Sequence, residues 1–389
     1  MAFDPTMNLF PFDDAELLRL ADLHGTPCFA YNGPVAAAQY RALRGALPAR
    51  ARVAYAVKAN PLPELLRTLG HLGASFDCAS LGELERVAEL GLGPGRVFFA
   101  GPGKRREELA LALRIGARIQ AEGWEDLERL ESLAEGPVDV NLRVHPDRGV
   151  EEDQRILGGA GPSAFGVDAE DAPALVERAA FLRKVRIRGL HVFAASNQRS
   201  AVRLLTTHSM VFDLAKAFHQ RGGVPMDQID VGGGLGVPYA LDQAELDLRV
   251  LGDGLEDLLA AHPWFRGELI LEPGRFIAAP CGVYLARVVR VKHSRGETFA
   301  ILEGGINHLL RPLLTGEAFP VRRVGAEGPI QSYTLAGPLC TSLDRLGRVE
   351  LPLLEPGALL AFGMAGAYGR TEGMTHFLSH PEPKEFWVE

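Results

Sequence analysis

The sequence predicts an α/β fold, a (β/α)8 barrel of the TIM type, joined to a second, all-β domain of β-sandwich-like character. Two patterns predict it. Between residues 52 and 271, short apolar runs alternate with amphipathic stretches at helical spacing, and beyond Arg275 that alternation gives way to β-rich segments bounded by glycine and proline. The length agrees, since 389 residues of which 47% are apolar can bury one large barrel and a smaller companion.

Taken in order, an opening helix over 14–24 and a short strand over 26–31 come first. Strand candidates follow at 52–57, 73–76, 96–100, 118–121, 138–144, 188–192, 228–231 and 269–271. Each is a brief apolar run closed by a turn. Between them, Leu62, Leu65, Leu66 and Leu69, or Leu81, Leu84, Val87, Ala88 and Leu90, fall on one helical face. Alternation of this kind implies parallel strands with right-handed crossovers, and eight such units close into a barrel. After 275 the segments 282–291, 298–302 and 358–362 read as strands. The expected division is a barrel over 33–275 and a β domain made of 1–32 plus 276–389. The stretch 145–163 has several glycines and little periodicity, and is expected to be a mobile loop beside the barrel rim.

Charge and cysteine usage narrow the function. With 41 basic and 49 acidic residues the net charge is −8, without long single-sign runs, so no nucleic acid or anionic membrane partner is expected. No segment reaches membrane-spanning or signal-peptide form. The four cysteines, Cys28, Cys78, Cys281 and Cys340, are far apart and form no C-x-x-C pair, which fits a reducing cytoplasm. No metal is expected, because the histidines show no ligand spacing. A small-molecule enzyme is the class that remains.

In a barrel of this kind the chemistry sits at the C-terminal strand ends. Those positions hold Lys58, Asp77, 101–104, Glu122, Arg143, His191, 232–234 and Glu272. Lys58 closes the apolar run AYAVKANP. A strand-end lysine can snorkel to solvent, but one crowded by apolar groups has a lowered pKa and a nucleophilic amine. DVGGGLG (230–236) can bring backbone N–H groups against a phosphate, or can be a tight turn with no ligand. Glu272 in LEPGR can hold a pyridine-type nitrogen protonated, or form a surface ion pair. Cys340 lies in the expected β domain, where a lone cysteine is usually a small buried hydrophobe.

The segments AYAVKANP, SFDCASLGEL, GPGK, FGVD, GLHVFAASNQ, DVGGGLG, LEPGR, GPLCTSLDRLG and GMAGAYG occur in this order. In that order they resemble the ornithine/diaminopimelate decarboxylases, the fold-type-III enzymes of pyridoxal 5'-phosphate with an alanine-racemase-like fold, from about Pro27 to the C-terminus. The resemblance implies that Lys58 carries the cofactor covalently, beside Asp77, and that Glu272 faces its pyridine nitrogen. It places Arg143, His191 and Phe193 around the ring, and Ser196, Gly233, Gly234, Gly274, Arg275 and Tyr368 at the phosphate. It makes Cys340 the catalytic proton donor, supplied by the second subunit of a head-to-tail homodimer, and puts Arg275, Arg311, Thr341 and Tyr368 at the substrate.

Departures from the family pattern bear on the substrate. Where members acting on diaminopimelate or ornithine carry an acidic residue after the cysteine, this chain has Thr341, and a distal ammonium there would lose its partner. R-P-x-L-Y ends in Thr315; the second histidine of H-x-H is Phe193; H-I-G-S-Q becomes Ala194, Ala195, Ser196 and Asn197. These changes resemble the specialised-metabolism branch, above all decarboxylases of citrate-based siderophore assembly, and next to them acyl-carrier-linked glutamyl decarboxylases. Arg311, His308, Arg370 and His376 are candidates to face an anionic substrate arm, or are ordinary surface residues. The implied function is decarboxylation of a citryl- or acyl-conjugated amino acid. The alternatives are a meso-diaminopimelate or other basic-amino-acid decarboxylase, a racemase, which lacks support for its second base, and a non-catalytic pyridoxal-phosphate-binding protein.

Overall fold

The computed structural model describes residues 9–146, 161–193 and 196–389. The expected loop over 145–163 lies largely outside the described residues, as do Ala194 and Ala195. Contacts divide the chain into two units, one of Gln39–Gly236 and Leu246–Gly274, the other of Met1–Ala38, Val237–Glu245 and Arg275–Glu389. The division therefore falls inside the helix Gly33–Ala46 rather than at its start, and it assigns the short excursion Val237–Glu245 to the second unit.

The first unit is a closed parallel barrel. Its strands are β1 (Ala51–Ala56), β2 (Ser75–Cys78), β3 (Val97–Phe99), β4 (Arg118–Ala121), β5 (Val138–His145), β6 (Val185–His191), β7 (Gln228–Asp230) and β8 (Glu268–Leu271). Each pairs with its sequence neighbour, and β8 returns to β1 through Leu269 opposite Ala51 and Leu271 opposite Val53. All eight strand candidates are found. The helices between them bury the predicted stripes, Leu65, Leu66 and Leu69 on Pro63–His71, and Leu84 and Val87 on Leu81–Ala88. Such a barrel has no exposed sheet edge, and its interior is filled by side chains from alternating strands. Ala54, Phe98 and Ile270, wholly buried, form one apolar cluster. Other interior positions are polar: Asn141 donates from Nδ2 to Gln228 Oε1 at 3.2 Å, and Gln228 donates from Nε2 to Glu268 Oε2 at 3.1 Å.

The second unit is mostly β. Its strands run in the order Val321–Arg323, Leu359–Phe362, Gly282–Ser294, Glu297–Leu302, Ile330–Ala336, Arg345–Pro352. The long strand Gly282–Ser294 belongs to two pairings: its first half meets Leu359–Phe362, and beyond an irregularity at Val288 its second half meets Glu297–Leu302. The early strand Cys28–Asn32 pairs antiparallel with Gly282–Ser294 and parallel with Lys384–Val388. The second unit holds the expected opening helix at Asp14–His24 and, beside its sheet, the short helices Arg275–Ala278 and Arg311–Thr315. The first of these is fixed by a reciprocal Asp13–Glu16 capping box, a local signal independent of the sheet. Among the described residues no helix is long and apolar enough to cross a membrane.

Gly189 of β6 shows how tightly the barrel interior is filled, because a Cβ there would lie 2.3 Å from Asn141 Oδ1 and 2.5 Å from the Gln228 carbonyl. Gly189→Ala is expected to cost about 1–3 kcal/mol, as overpacking does in cores, read as a fall in the urea midpoint.

Candidate active site

The barrel's closure brings its strand ends together. β1 stops at Ala56 and the chain makes the 3₁₀ turn Val57–Ala59, which carries Lys58 to the rim while Tyr55, Val57 and Ala59 stay buried. Lys58 Nζ lies 3.1 Å from Asp77 Oδ2 of β2 and 5.6 Å from the ring centroid of Phe193. Its side chain is 35% exposed, so the apolar run surrounds the turn and not the amine. The fully desolvated lysine suggested by AYAVKANP is therefore corrected to a half-buried, ion-paired one.

Across the rim, His191 of β6, Asp230 of β7 and Glu272 after β8 gather with donor atoms within 4.8 Å of one another. All three are buried, which removes the surface-ion-pair alternative for Glu272. His191 Nε2 faces Glu272 Oε2 at 3.4 Å. Asp230 receives hydrogen bonds from Gln120 Nε2 and from the Gly232 N–H, both 2.9 Å.

Arg143 of β5 donates to Glu122 Oε1 at 2.7 Å, and its guanidinium lies 4.7 Å from the Phe165 ring centroid. Glu122 also accepts from the N–H groups of Gly101 and Gly166. Lys104, buried beside it, bonds Asp126 at 2.9 Å.

The glycine run has a packing reason of its own. A Cβ on Gly232 would lie 2.8 Å from the Val192 carbonyl, and one on Gly233 would lie 2.5 Å from the Glu272 carbonyl. Gly232 and Gly234 adopt φ of 69° and 93°, where a side chain is strained. Gly274 lies close to the Lys58 turn, since a Cβ there would be 2.8 Å from Ala59 Cβ. Ser196, half-buried, follows the end of β6, and the Gln198 N–H donates to the Gly234 carbonyl at 2.7 Å.

Electrostatics separates the carboxylates. Burial, reinforced by the charge of Glu272, raises Asp77 to about 7 despite the Lys58 ammonium. Burial likewise pushes Asp230 well above the carboxylate range, with the Glu272 charge adding to it. Glu272 goes the other way: burial alone would raise it, but His191, Lys58 and the hydrogen bond shared with Asp230 outweigh burial and hold it at about 2. His191 is lowered by burial, against the pull of Glu272.

The second unit holds the remaining candidates. Arg275, buried, donates from Nη1 to the Tyr239 hydroxyl at 2.7 Å and sits 4.7 Å from the Tyr368 ring centroid. Arg311, 6% exposed, lies 5.8 Å from the same centroid and 3.7 Å from Glu317. Tyr368 has φ of 55°, a strained conformation for a bulky residue and one that clusters at functional sites.

Cys340 is exposed, on a turn held by buried Asp344, which accepts from the N–H groups of Leu339 and Ile306 at 2.8 and 2.7 Å. The buried-hydrophobe alternative for Cys340 is thereby removed. Thr341 is half-buried and its hydroxyl accepts from the Leu343 N–H at 3.3 Å. Arg370, 22% exposed, pairs with Glu382, and His376 has a side chain 92% exposed, so His376 is a surface residue and is withdrawn from the substrate-facing set. His308 is hydrogen-bonded to the Tyr284 hydroxyl at 2.8 Å, and burial lowers it to about 4, which leaves it neutral.

Gln120, Asp230, Tyr239 and Glu372 were not singled out from the sequence. Asp230 stood in the glycine motif; the others gave no signal, because only folding juxtaposes them with their partners.

Residues 36–279 match the family model for the pyridoxal-binding domain of pyridoxal-dependent decarboxylases. The chain belongs to that family. It is similar to the L-glutamyl-[BtrI acyl-carrier protein] decarboxylase of Niallia circulans, at 32% identity over 97% of this chain and 92% of the relative. It is also similar to the diaminopimelate decarboxylase of Pseudomonas aeruginosa, at 35% identity over 93% of this chain and 89% of the relative. Among solved structures, the diaminopimelate decarboxylase of Helicobacter pylori complexed with L-lysine superposes with a TM-score of 0.88 at 27% identity, covering 96% and 94% of the two chains. This pyridoxal-dependent decarboxylase is thus an amino-acid carboxy-lyase with pyridoxal phosphate as cofactor.

The residues present fit that group. Glu272 Oε1 is buried with no hydrogen-bond partner, as an oxygen awaiting a ring nitrogen would be. The glycine run, with Gly232 and Gly234 at positive φ, has the backbone form of a phosphate-binding turn.

One pH consequence follows. An acid raised from 3.8 to about 7 on folding contributes stability at low pH that is lost as pH rises through 7. In the cofactor-free protein, the stability of wild type relative to Asp77→Asn is expected to fall between pH 4 and pH 7. Thermal melts of both across that window check it.

Proposed function

We propose that this decarboxylase acts on an amino acid whose distal end is already conjugated, a citryl- or acyl-linked substrate of specialised metabolism such as siderophore assembly. The observation that carries the reading is Thr341. The position next to Cys340 bears a hydroxyl engaged in its own turn where the resembling diamino-acid enzymes carry a charge, so a distal ammonium finds no counterion there. The similarity to an enzyme acting on a glutamyl group held on a carrier protein supports a conjugated substrate.

In this reading Lys58 is the residue that would hold the cofactor covalently through its amine. When bound, pyridoxal phosphate supplies the electron sink that accepts the bonding pair as carbon dioxide leaves. Glu272 stays ionised and holds the ring nitrogen's proton. Asp77 fixes the Lys58 amine by its ion pair. By the family resemblance, Phe193, His191 and Arg143 would hold the cofactor ring, and Ser196, Gly233, Gly234, Gly274, Arg275 and Tyr368 would hold its phosphate. Arg275, Arg311, Thr341 and Tyr368 receive the substrate. Cys340 Sγ returns a proton to the α-carbon. Because Cys340 is exposed, with Leu343 exposed three residues on, we assign it to the active site of a second copy in a twofold homodimer.

One observation favours the runner-up, a meso-diaminopimelate decarboxylase. Burial raises the pKa of Glu372 against the pull of Arg311 and Arg275, and its Oε2 is buried without a hydrogen-bond partner, an acceptor that a distal ammonium would fill. The similarity to several diaminopimelate decarboxylases points the same way.

Carbon dioxide release across free diamino acids and citryl- or acyl-conjugated amino acids separates the two. Turnover of diaminopimelate, ornithine or lysine at ordinary enzymatic rates would overturn the conjugate reading. Lys58→Ala is expected to abolish both turnover and the visible absorbance of the bound cofactor. Mixing equal amounts of inactive Lys58→Ala and Cys340→Ala chains is expected to restore about a quarter of wild-type activity, because a twofold hybrid regains one intact site. No recovery after verified subunit exchange would remove the shared site.

A further inference from the structure

Three carboxylates and a histidine meet in the barrel, and the mechanism uses only one of the two that touch. Asp230 is fully buried and Glu272 is 3% exposed, and their oxygens lie within 4.8 Å of each other and of a His191 nitrogen. Two carboxylates so placed, out of contact with water, do not both ionise, because like charges in the interior disfavour each other. Their surroundings decide which keeps the proton. Asp230 accepts from two neutral donors, the Gln120 amide and the Gly232 N–H, and has no ion-pair partner among the described residues. Glu272 faces His191 at 3.4 Å and feels the Lys58 ammonium. The other charged groups acting on this cluster are Asp77, which is already paired with Lys58, and, on His191, Arg143 and Glu122, which pair with each other.

We infer that Asp230 is a positioning residue held in its protonated form, donating a hydrogen bond to Glu272 so that the pair carries one negative charge, placed on Glu272. The direction of both shifts agrees with this assignment. Gln120 is the third member. Wholly buried, it anchors Asp230 through Nε2, and its Oε1 has no hydrogen-bond partner, so turning the amide would present an acceptor to the same side chain. The arrangement holds the Glu272 carboxylate in place through Asp230 and, behind that, Gln120. It also makes Glu272 a more persistent anion than an isolated buried carboxylate would be.

The assignment separates two substitutions of the same size. Asp230→Asn replaces a protonated acid by an amide that also donates, and is expected to lower kcat by about threefold to tenfold, the scale of one perturbed hydrogen bond. Glu272→Gln removes the charge itself and is expected to lower kcat by about 100-fold or more.

Infrared spectra of the cofactor-free full chain give a readout that a purely structural role would not move. Recorded well above the pKa of about 7 of Asp77, wild type is expected to show a carboxylic-acid C=O band that Asp230→Asn lacks. Loss of no such band, or a kcat defect in Asp230→Asn equal to that of Glu272→Gln at unchanged melting temperature, overturns the inference. Should Asp230→Asn fail to fold, the wild-type spectrum decides: absence of an acid band overturns the inference, and its loss in Glu272→Gln supports it.

Discussion

Closure of the parallel sheet, where β8 pairs back onto β1, is the constraint on which the rest depends. Parallel strands joined by right-handed crossovers all end on the same side, so residues far apart in the chain share one rim. Asp77, Arg143, His191, Asp230 and Glu272 are separated by tens of residues, yet each follows or closes its own strand. The polar groups cost desolvation, and the barrel tolerates them because nearly every one has a partner: Lys58 with Asp77, Arg143 with Glu122, Lys104 with Asp126, Gln120 with Asp230.

Within that rim, charge is apportioned by neighbours rather than by residue type. Three buried carboxylates of ordinary pKa near 4 are driven apart, Asp77 to about 7, Asp230 well above the ordinary range, and Glu272 down to about 2. A carboxylate held ionised in a dry site suits the task of keeping a ring nitrogen protonated. The second unit provides a different chemistry, two buried arginines packed against one strained tyrosine. Arginines so placed are suited to planar anionic groups, and their side chains are fixed by stacking as well as by hydrogen bonds.

The fold was largely legible because its signals are local. Leu65, Leu66 and Leu69 mark a helical face wherever that helix is placed, and Asp13 with Glu16 caps a helix without help from the rest of the chain. Ordered motifs carried the family in the same way. What failed to read correctly depended on neighbours. AYAVKANP suggested a buried amine, but the 3₁₀ turn buries Val57 and Ala59 and leaves Lys58 half-exposed. His376 offered charge near the C-terminus, but its side chain is 92% exposed, while the guanidinium of the partly buried Arg370 is taken up by Glu382. Arg275–Ala278 and Arg311–Thr315 went unread as helices because they are only 4 and 5 residues long and leave no periodic stripe.

By itself, then, the amino-acid order determined the alternation of strands and helices, the lysine, glutamate, cysteine and glycine motifs, and through them the cofactor and the class of reaction. Tertiary structure alone decided that Gln120 bonds Asp230, that His191, Asp230 and Glu272 are buried together, and that Cys340 is presented to solvent on a turn clamped by Asp344. Periodicity and motif are properties of neighbours along the chain. Burial, charge coupling and hydrogen-bond partnership are properties of neighbours in space, and folding is what makes those two sets differ.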